Sequence, residues 1–128
     1  MTAAKLAGRH VLIAQDQYLL ASVLIDLVRL HGGTVVGPVS TEDDARRLAD
    51  GTRVDVAVLD IELANGPCVA LVEELRTKGV PVILTTTGGL SAIPDSLSGL
   101  SVLSKPFDSA VLAERIAEHC GAAQPKAS

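Results

Sequence analysis

Aromatic side chains are nearly absent from this sequence, which contains one tyrosine, one phenylalanine and no tryptophan. The core of a folded domain must therefore consist of aliphatic side chains, and little aromatic surface remains to stack on bases or sugars. No run of basic residues is long enough to follow a nucleic-acid backbone, and the formal net charge is −4. Because a nucleic-acid backbone is bound through clustered positive charge, we expect no direct binding of nucleic acid.

Cysteines and long apolar segments are also scarce. Cys68 and Cys120 have no spacing typical of a metal or redox site, so we interpret them as small, buried or half-buried thiols. Residues 1–9 contain no signal-peptide core, and no run reaches the roughly 18 apolar residues that a membrane span requires. We therefore expect a cytoplasmic protein without a membrane segment.

Short aliphatic runs alternate with segments of helical periodicity along the chain. The runs predict strands over residues 10–14, 34–39, 54–62, 80–84 and 101–104. The periodic segments predict helices over residues 18–31, from Ser40 onward, from Pro67 to Lys78, and from the capping residue Asp108 to Gly121. This alternation is typical of a parallel sheet that is covered by helices on both faces.

The predicted fold class is α/β, a doubly wound five-stranded parallel sheet of order 2-1-3-4-5 with a flavodoxin-like arrangement. The second strand contains Gly37 and Pro38, which places it at an edge of the sheet. We expect residues 9–120 to form one domain, residues 1–8 an N-terminal extension, and residues 121–128 a flexible tail.

Polar residues follow four of the predicted strands. Asp60 ends the central strand, Gln15 and Asp16 follow the first, Thr86 follows the fourth and Lys105 follows the fifth. Ligands collect at the carboxyl ends of the strands in open α/β sheets, so these side chains should surround one crevice. Two acids can hold Mg²⁺ through oxygen, an aspartate can form an acyl phosphate, and a hydroxyl and an ammonium group can bind phosphoryl oxygens. This combination favours phosphoryl transfer to Asp60.

The motifs together resemble the receiver domain of two-component response regulators. The matching segments are residues 11–16, 58–60, 81–86 and 105–107. The resemblance implies that a phosphohistidine phosphorylates Asp60, and that Asp60, Asp16 and the backbone carbonyl of Glu62 hold Mg²⁺. It further implies that Thr86 and Lys105 respond to the phosphorylated state, with a cis peptide bond between Lys105 and Pro106.

Three departures from the family pattern are visible. Gln15 stands where the family usually has an acid, and its amide oxygen can accept from a metal-bound water but brings no charge, so Mg²⁺ binding should be weaker. Val102 occupies the place of the expected aromatic switch residue. Pro94 and Gly99 shorten the helix before the fifth strand. Thr85 and Thr87 are interpreted as β-branched strand residues without a further role.

We expect a regulatory phosphoacceptor rather than an enzyme, with at most self-phosphorylation and self-dephosphorylation. The resemblance implies a histidine kinase or a histidine phosphotransfer protein as donor, which would contact Tyr18, Leu19 and Ser22. An output protein, or a second copy in a homodimer, would bind a surface with Leu90, Ile93, Leu97 and Val102. Because the predicted domain accounts for nearly the whole sequence, a stand-alone receiver is the leading interpretation.

Two alternatives remain open. In the first, Gln15 and Val102 indicate a pseudo-receiver that binds its partner without phosphorylation. In the second, Asp60 and Glu62 are the nucleophile and the general acid of a small aspartate-dependent phosphatase, although no segment is predicted to form the cap that would bind its substrate. A flavin-binding module is less well supported, because acids stand where a phosphate-binding loop would be needed.

Overall fold

The computed structural model describes residues 6–15, 17–63, 66–67, 69–86, 101–104 and 109–123. Strands and helices alternate through most of this part of the chain. In order they are β1 (His10–Ala14), α1 (Tyr18–Leu30), β2 (Thr34–Val39), α2 (Glu42–Gly51), β3 (Val56–Asp60), β4 (Glu62–Leu63), β5 (Gly66–Pro67), α3 (Val69–Thr77), β6 (Val82–Thr86), β7 (Ser101–Ser104) and α4 (Ser109–Ala123).

Five of the strands form one parallel sheet in the order β2-β1-β3-β6-β7. Since β6 and β7 are its fourth and fifth strands along the chain, the predicted fold class and the order 2-1-3-4-5 are confirmed. β2 lies at an edge, as its glycine and proline predicted. The short strands β4 and β5 pair antiparallel with each other, outside this sheet.

Alternate residues of the central strands contribute to two separate aliphatic cores, one on each face of the sheet. On one face, which we call the α2/α3 layer, strand residues pack against helices α2 and α3. Its fully buried members include Leu12, Ala14, Ala45, Ala57, Leu59, Leu71, Val72 and Leu84. On the other face, the α1/α4 layer, strand residues pack against α1 and α4. Its members include Val11, Ile13, Leu24, Val56, Val58, Ile83, Leu112 and Ile116.

The predicted boundaries were wrong at several places. Pro67 was expected to open a helix, but it lies in β5, and α3 begins at Val69. Leu6 was assigned to an N-terminal extension, yet it is fully buried in the α1/α4 layer and its N–H donates to the carbonyl of His31. The last helix continues to Ala123, into the segment that was predicted to be a flexible tail.

Helix α2 is held mainly by polar contacts. Its cap is Thr41 rather than Ser40, because Oγ1 of Thr41 accepts a hydrogen bond from the N–H of Asp44. Arg46 joins this helix to α3 through a 2.6 Å hydrogen bond to Glu74. This bond raises the pKa of the Arg46 guanidinium above its ordinary value. No helix in the described part of the chain has the length and apolar character to cross a bilayer.

Gly33, between α1 and β2, is expected to tolerate no side chain. A Cβ atom there would lie 2.8 Å from Cγ1 of Val28 and 3.1 Å from Cβ of Leu6, both in the buried α1/α4 layer. We predict that Gly33→Ala lowers the free energy of unfolding by about 1–3 kcal/mol, because the core must shift to admit the methyl group. Urea denaturation measures this difference.

Gly51 supplies the matched control. It is the last residue of α2, and a Cβ there would meet nothing within 4 Å. Gly51→Ala should leave stability unchanged or raise it by up to about 1 kcal/mol, since alanine favours the helix. Equal urea midpoints for the two variants would contradict the assigned packing at Gly33.

Candidate functional site

Asp60 is the last residue of β3, the central strand of the sheet. β1 lies on one side and β6 on the other, and Asp60 is in register with Thr85 of β6. The residue is 5% exposed. The structure therefore places this carboxylate where the strand pattern predicted it, at the carboxyl edge of the sheet where folds of this type bind ligands.

Gln15 follows β1 directly and is 3% exposed. Because Ala14 pairs with Leu59, Gln15 lies level with Asp60 of the neighbouring strand. Its Nε2 atom donates a hydrogen bond to Oγ1 of Thr85 at 3.2 Å. β3 separates β1 from β6, and adjacent strands lie about 4.8 Å apart, so the amide must extend across the end of the strand that carries Asp60.

Thr85 has a polar role that the sequence interpretation missed. It is fully buried, and its Oγ1 accepts from Gln15 and donates to the carbonyl oxygen of Leu59 in a long contact of 3.5 Å. The alternation of side chains between the two faces of the sheet could have indicated this role. Gln15, Asp60 and Thr85 each continue the series of residues that faces the α1/α4 layer, so the three side chains form one row above that core.

Thr86 ends β6 and is 2% exposed. It continues the opposite series of strand residues, which faces the α2/α3 layer. Thr86 pairs with Ser104 of β7, the residue that precedes Lys105 in the sequence. Val102, at the place of the missing aromatic switch, is half-buried and packs against the α2/α3 layer.

Several residues named in the sequence analysis lie outside the described part of the chain. They are Asp16, Cys68, Thr87, Leu90, Ile93, Pro94, Leu97, Gly99, Lys105, Pro106 and Asp108. The cis peptide bond predicted before Pro106 lies there too. The described part of the chain has its cis bond between Gly37 and Pro38. For the residues outside the described part of the chain, the sequence predictions stay predictions.

The oxygen atoms at the site fit a hard cation. Oε1 of Gln15 is buried and has no hydrogen-bond partner among the described residues. A buried acceptor left unpaired costs about 1–3 kcal/mol, and a cation-bound water would offset this. Asp60 supplies a carboxylate, and the backbone of Glu62 lies in β4 shortly after it. These donors suit Mg²⁺, which prefers oxygen and keeps several waters, although no group of three His, Cys, Asp or Glu side chains is placed to hold a metal in the described ranges.

The start of α1 presents apolar side chains to solvent beside this edge of the sheet. Tyr18 is 83% and Leu19 78% exposed, whereas Ser22 is half-buried. A pocket of about 320 Å³ lies here, lined by Gln15, Tyr18 and Asp44 among others. Tyr18, one of the three predicted donor-binding residues, therefore lies beside Gln15 of the row that contains Asp60.

Asp55, at the opposite end of β3, has a structural role. Its Oδ2 accepts a 2.7 Å hydrogen bond from the backbone N–H of His10, and Oδ1 pairs with the guanidinium of Arg53 at 3.2 Å. These contacts fix the amino edge of the sheet, where β1 and β3 begin. Asp55 therefore stabilises the end of the sheet opposite to the one where Asp60 lies.

Comparison with known proteins agrees with this geometry. The family described as the response regulator receiver domain matches residues 11–117. The transcriptional regulatory protein PdtaR of Mycobacterium tuberculosis is 24% identical over 103 residues, which cover 77% of this chain and 50% of PdtaR. The transcriptional regulatory protein DesR of Bacillus subtilis is 33% identical over 78 residues, covering 60% of this chain and 39% of DesR.

A solved structure of similar size also matches. The receiver domain of the response regulator PhyR from Erythrobacter litoralis superposes with a TM-score of 0.79 at 26% identity, covering 88% of this chain and 90% of that domain. By contrast, the chain spans half or less of the length of the two curated relatives.

Proposed function

The chain belongs to the response regulator receiver domain family, and from this premise we propose that it is a phosphoacceptor whose phosphorylation site is Asp60. The observation that carries the proposal is the place of this carboxylate. It lies buried at the end of the central strand, level with Gln15 on β1 and in register with Thr85 on β6. We propose that the chain regulates a partner from the cytoplasm and does not turn over an external substrate.

The proposed chemistry is a displacement at phosphorus. A carboxylate oxygen of Asp60 attacks the phosphorus of a phosphohistidine, an O–P bond forms and the P–N bond breaks. The imidazole nitrogen keeps the electron pair of the broken bond and takes up a proton. Thr86 donates a hydrogen bond to one phosphoryl oxygen, and Lys105 neutralises another.

We propose that Asp60, Asp16 and the backbone carbonyl of Glu62 hold Mg²⁺, with Gln15 contributing through a water molecule. When bound, Mg²⁺ supplies positive charge that offsets the negative charge of the phosphoryl group. The unpartnered Oε1 of Gln15 among the described residues supports this assignment. Since Gln15 is neutral where a carboxylate would add charge, the affinity for Mg²⁺ should be low.

Incubation with a small phosphodonor such as phosphoramidate tests the proposal directly. Intact-mass measurement should show one added phosphoryl group per chain, formed faster with Mg²⁺ than with a chelator. The label should be lost on treatment with hydroxylamine, which cleaves acyl phosphates but leaves phosphoserine intact. A chain that stays unlabelled at millimolar Mg²⁺ would favour the pseudo-receiver alternative, for which the neutral, hydrogen-bonded Gln15 is the supporting observation.

The donor protein is proposed to be a histidine kinase or a histidine phosphotransfer protein that binds the amino end of α1. Leu19 is exposed there, and Leu30 is 66% exposed at the far end of the same helix. We predict that Leu19→Glu slows transfer from such a donor about tenfold or more, because it places charge in the apolar contact. Leu30→Glu should have little effect on the transfer rate.

The measurement uses the kinase or phosphotransfer protein of the source organism that labels the unmodified chain. Labelling by phosphoramidate should be equal for both variants, which shows that the site itself is intact. Equal transfer rates for Leu19→Glu and Leu30→Glu would place the donor elsewhere.

We propose that output passes to a partner protein, or to a second copy, through the surface around Leu90, Ile93, Leu97 and Val102. Among these four, Val102 is described, and its half-buried side chain packs against the α2/α3 layer. Because Val102 is not aromatic, its side chain offers no large ring that moves between a buried and an exposed position.

A further inference from the structure

The hydrogen bond between Gln15 and Thr85 has no counterpart in the phosphoacceptor chemistry described above. We infer that Thr85 is a positioning residue, whose hydroxyl orients the carboxamide of Gln15 so that Oε1 is held beside Asp60 as a neutral acceptor for a metal-bound water. This inference rests on the proposed function, because it concerns the Mg²⁺ site of the same phosphoacceptor.

The chemistry of the three groups determines which way the amide points. A threonine hydroxyl has one proton, and a backbone carbonyl can only accept a hydrogen bond. The proton of Thr85 is directed to the carbonyl of Leu59, so a lone pair of Oγ1 faces Gln15. That lone pair selects the NH₂ end of the amide, which is the 3.2 Å contact observed. Oε1 is thereby left available on the other branch of the amide.

The position of the amide places Oε1 at the strand end that carries Asp60. Gln15 reaches Thr85 across the end of β3, where Asp60 is in register with Thr85. Oε1 is bonded to the same carbon as Nε2, so it lies in the same row. It is buried and unpartnered among the described residues. An acceptor next to a carboxylate is complementary to a cation or to water that a cation polarises.

The bond also prepares Gln15 for binding. Glutamine has three rotatable side-chain bonds, and fixing them at the moment of binding would lower the affinity for the ion. The contact with Thr85 fixes them beforehand, which is the advantage of a preorganised site. Groups that orient metal ligands from outside the ligand shell commonly change metal affinity by 10-fold or more.

The experiment measures Mg²⁺ binding alone, with no phosphodonor present. Amide NMR spectra of the full chain are recorded during a titration with MgCl₂. Thr85→Val, which keeps the shape but removes the hydroxyl, should weaken the affinity about tenfold. Thr85→Ser restores the hydroxyl and should stay within about twofold of the unmodified chain, as should Thr34→Val on the exposed edge strand β2.

A second pair of variants separates positioning from general damage to the fold. In a Gln15→Ala background the acceptor is absent, so Thr85→Val should cause no further loss of Mg²⁺ affinity. If Thr85→Val does not fold, Thr85→Ala takes its place in both Mg²⁺ titrations.

Three results would overturn the inference. The first is an unchanged Mg²⁺ affinity in Thr85→Val. The second is a loss of Mg²⁺ affinity from Thr85→Val that is as large in the Gln15→Ala background as in the unmodified chain, and the third is the absence of any Mg²⁺-dependent shift in the unmodified chain. Phosphoramidate labelling of Asp60 is measured separately. Normal labelling of Asp60, together with a Mg²⁺ affinity that is the same in Thr85→Val as in the unmodified chain, would refute the positioning role. The phosphoacceptor proposal would not be affected by that result.

Discussion

Asp60→Asn is expected to reduce labelling by a small phosphodonor to background. The carboxamide of asparagine lacks the negative charge that makes a carboxylate oxygen nucleophilic, and it cannot form the acyl phosphate. The substitution is nearly isosteric, and the residue lies at the end of β3 rather than inside the core, so the fold should be kept. Intact mass and hydroxylamine sensitivity measure the loss, and circular dichroism checks that the variant is folded.

Asp43→Asn provides the control for this variant. Asp43 lies in the first turn of α2, and its side chain is 78% exposed. The same change of chemical group there should leave labelling at the level of the unmodified chain. Full labelling of Asp60→Asn, or a peptide map that places the phosphoryl group on another residue, would refute the assignment of the site.

Leu12→Ala is expected to lower the free energy of unfolding by about 2–5 kcal/mol. Leu12 lies in the middle of β1, is fully buried, and belongs to the α2/α3 layer. Truncation removes buried methyl groups and leaves a cavity between the sheet and the helices. Because domains of this kind are stable by only about 5–15 kcal/mol, the urea midpoint should fall markedly.

Leu30→Ala tests whether burial causes this loss. Leu30 is the last residue of α1 and largely exposed, so the same truncation should change stability by no more than about 0.5 kcal/mol. Similar urea midpoints for Leu12→Ala and Leu30→Ala would show that the β1 core is packed differently from the structure described above.

The architecture was predictable because buried parallel strands have a distinctive composition. Four consecutive aliphatic residues, Val56 to Leu59, are buried on both faces of the sheet, and such a run has few other stable environments. Boundaries were less predictable. Proline favours the first turn of a helix, yet Pro67 pairs with Glu62 instead, and that pairing depends on contacts between segments rather than on local preference.

The apolar pattern of α1 also suggested a wider buried face than the structure shows. Leu19, Val23 and Leu30 belong to the apolar pattern of this helix but are exposed, while Leu24 and Val28 are buried. Periodicity identifies an amphipathic helix, but it does not fix how wide a stripe the sheet will cover. The additional apolar residues remain available for contact with other proteins.

At the site, the strand pattern predicted that Asp60, Gln15 and Thr86 lie at the carboxyl edge of the sheet, and the structure has them there. The role of Thr85 was missed because threonine is common in β-strands, so its presence in one gives no sign of a further role. Its role appears only when the register of β3 and β6 is known, since that register places it level with Asp60 and within reach of Gln15. Side-chain contacts across three strands are tertiary information that one sequence does not display.

The position of Tyr18 has a practical consequence. It is the sole tyrosine of a chain that has no tryptophan, and it lines the same pocket as Gln15. Ultraviolet emission excited near 280 nm will thus come from a single fluorophore adjoining the carboxyl edge of the sheet. We expect the proposed ion binding and phosphorylation at this edge to change the emission of Tyr18, so that both could be followed in real time without an attached dye.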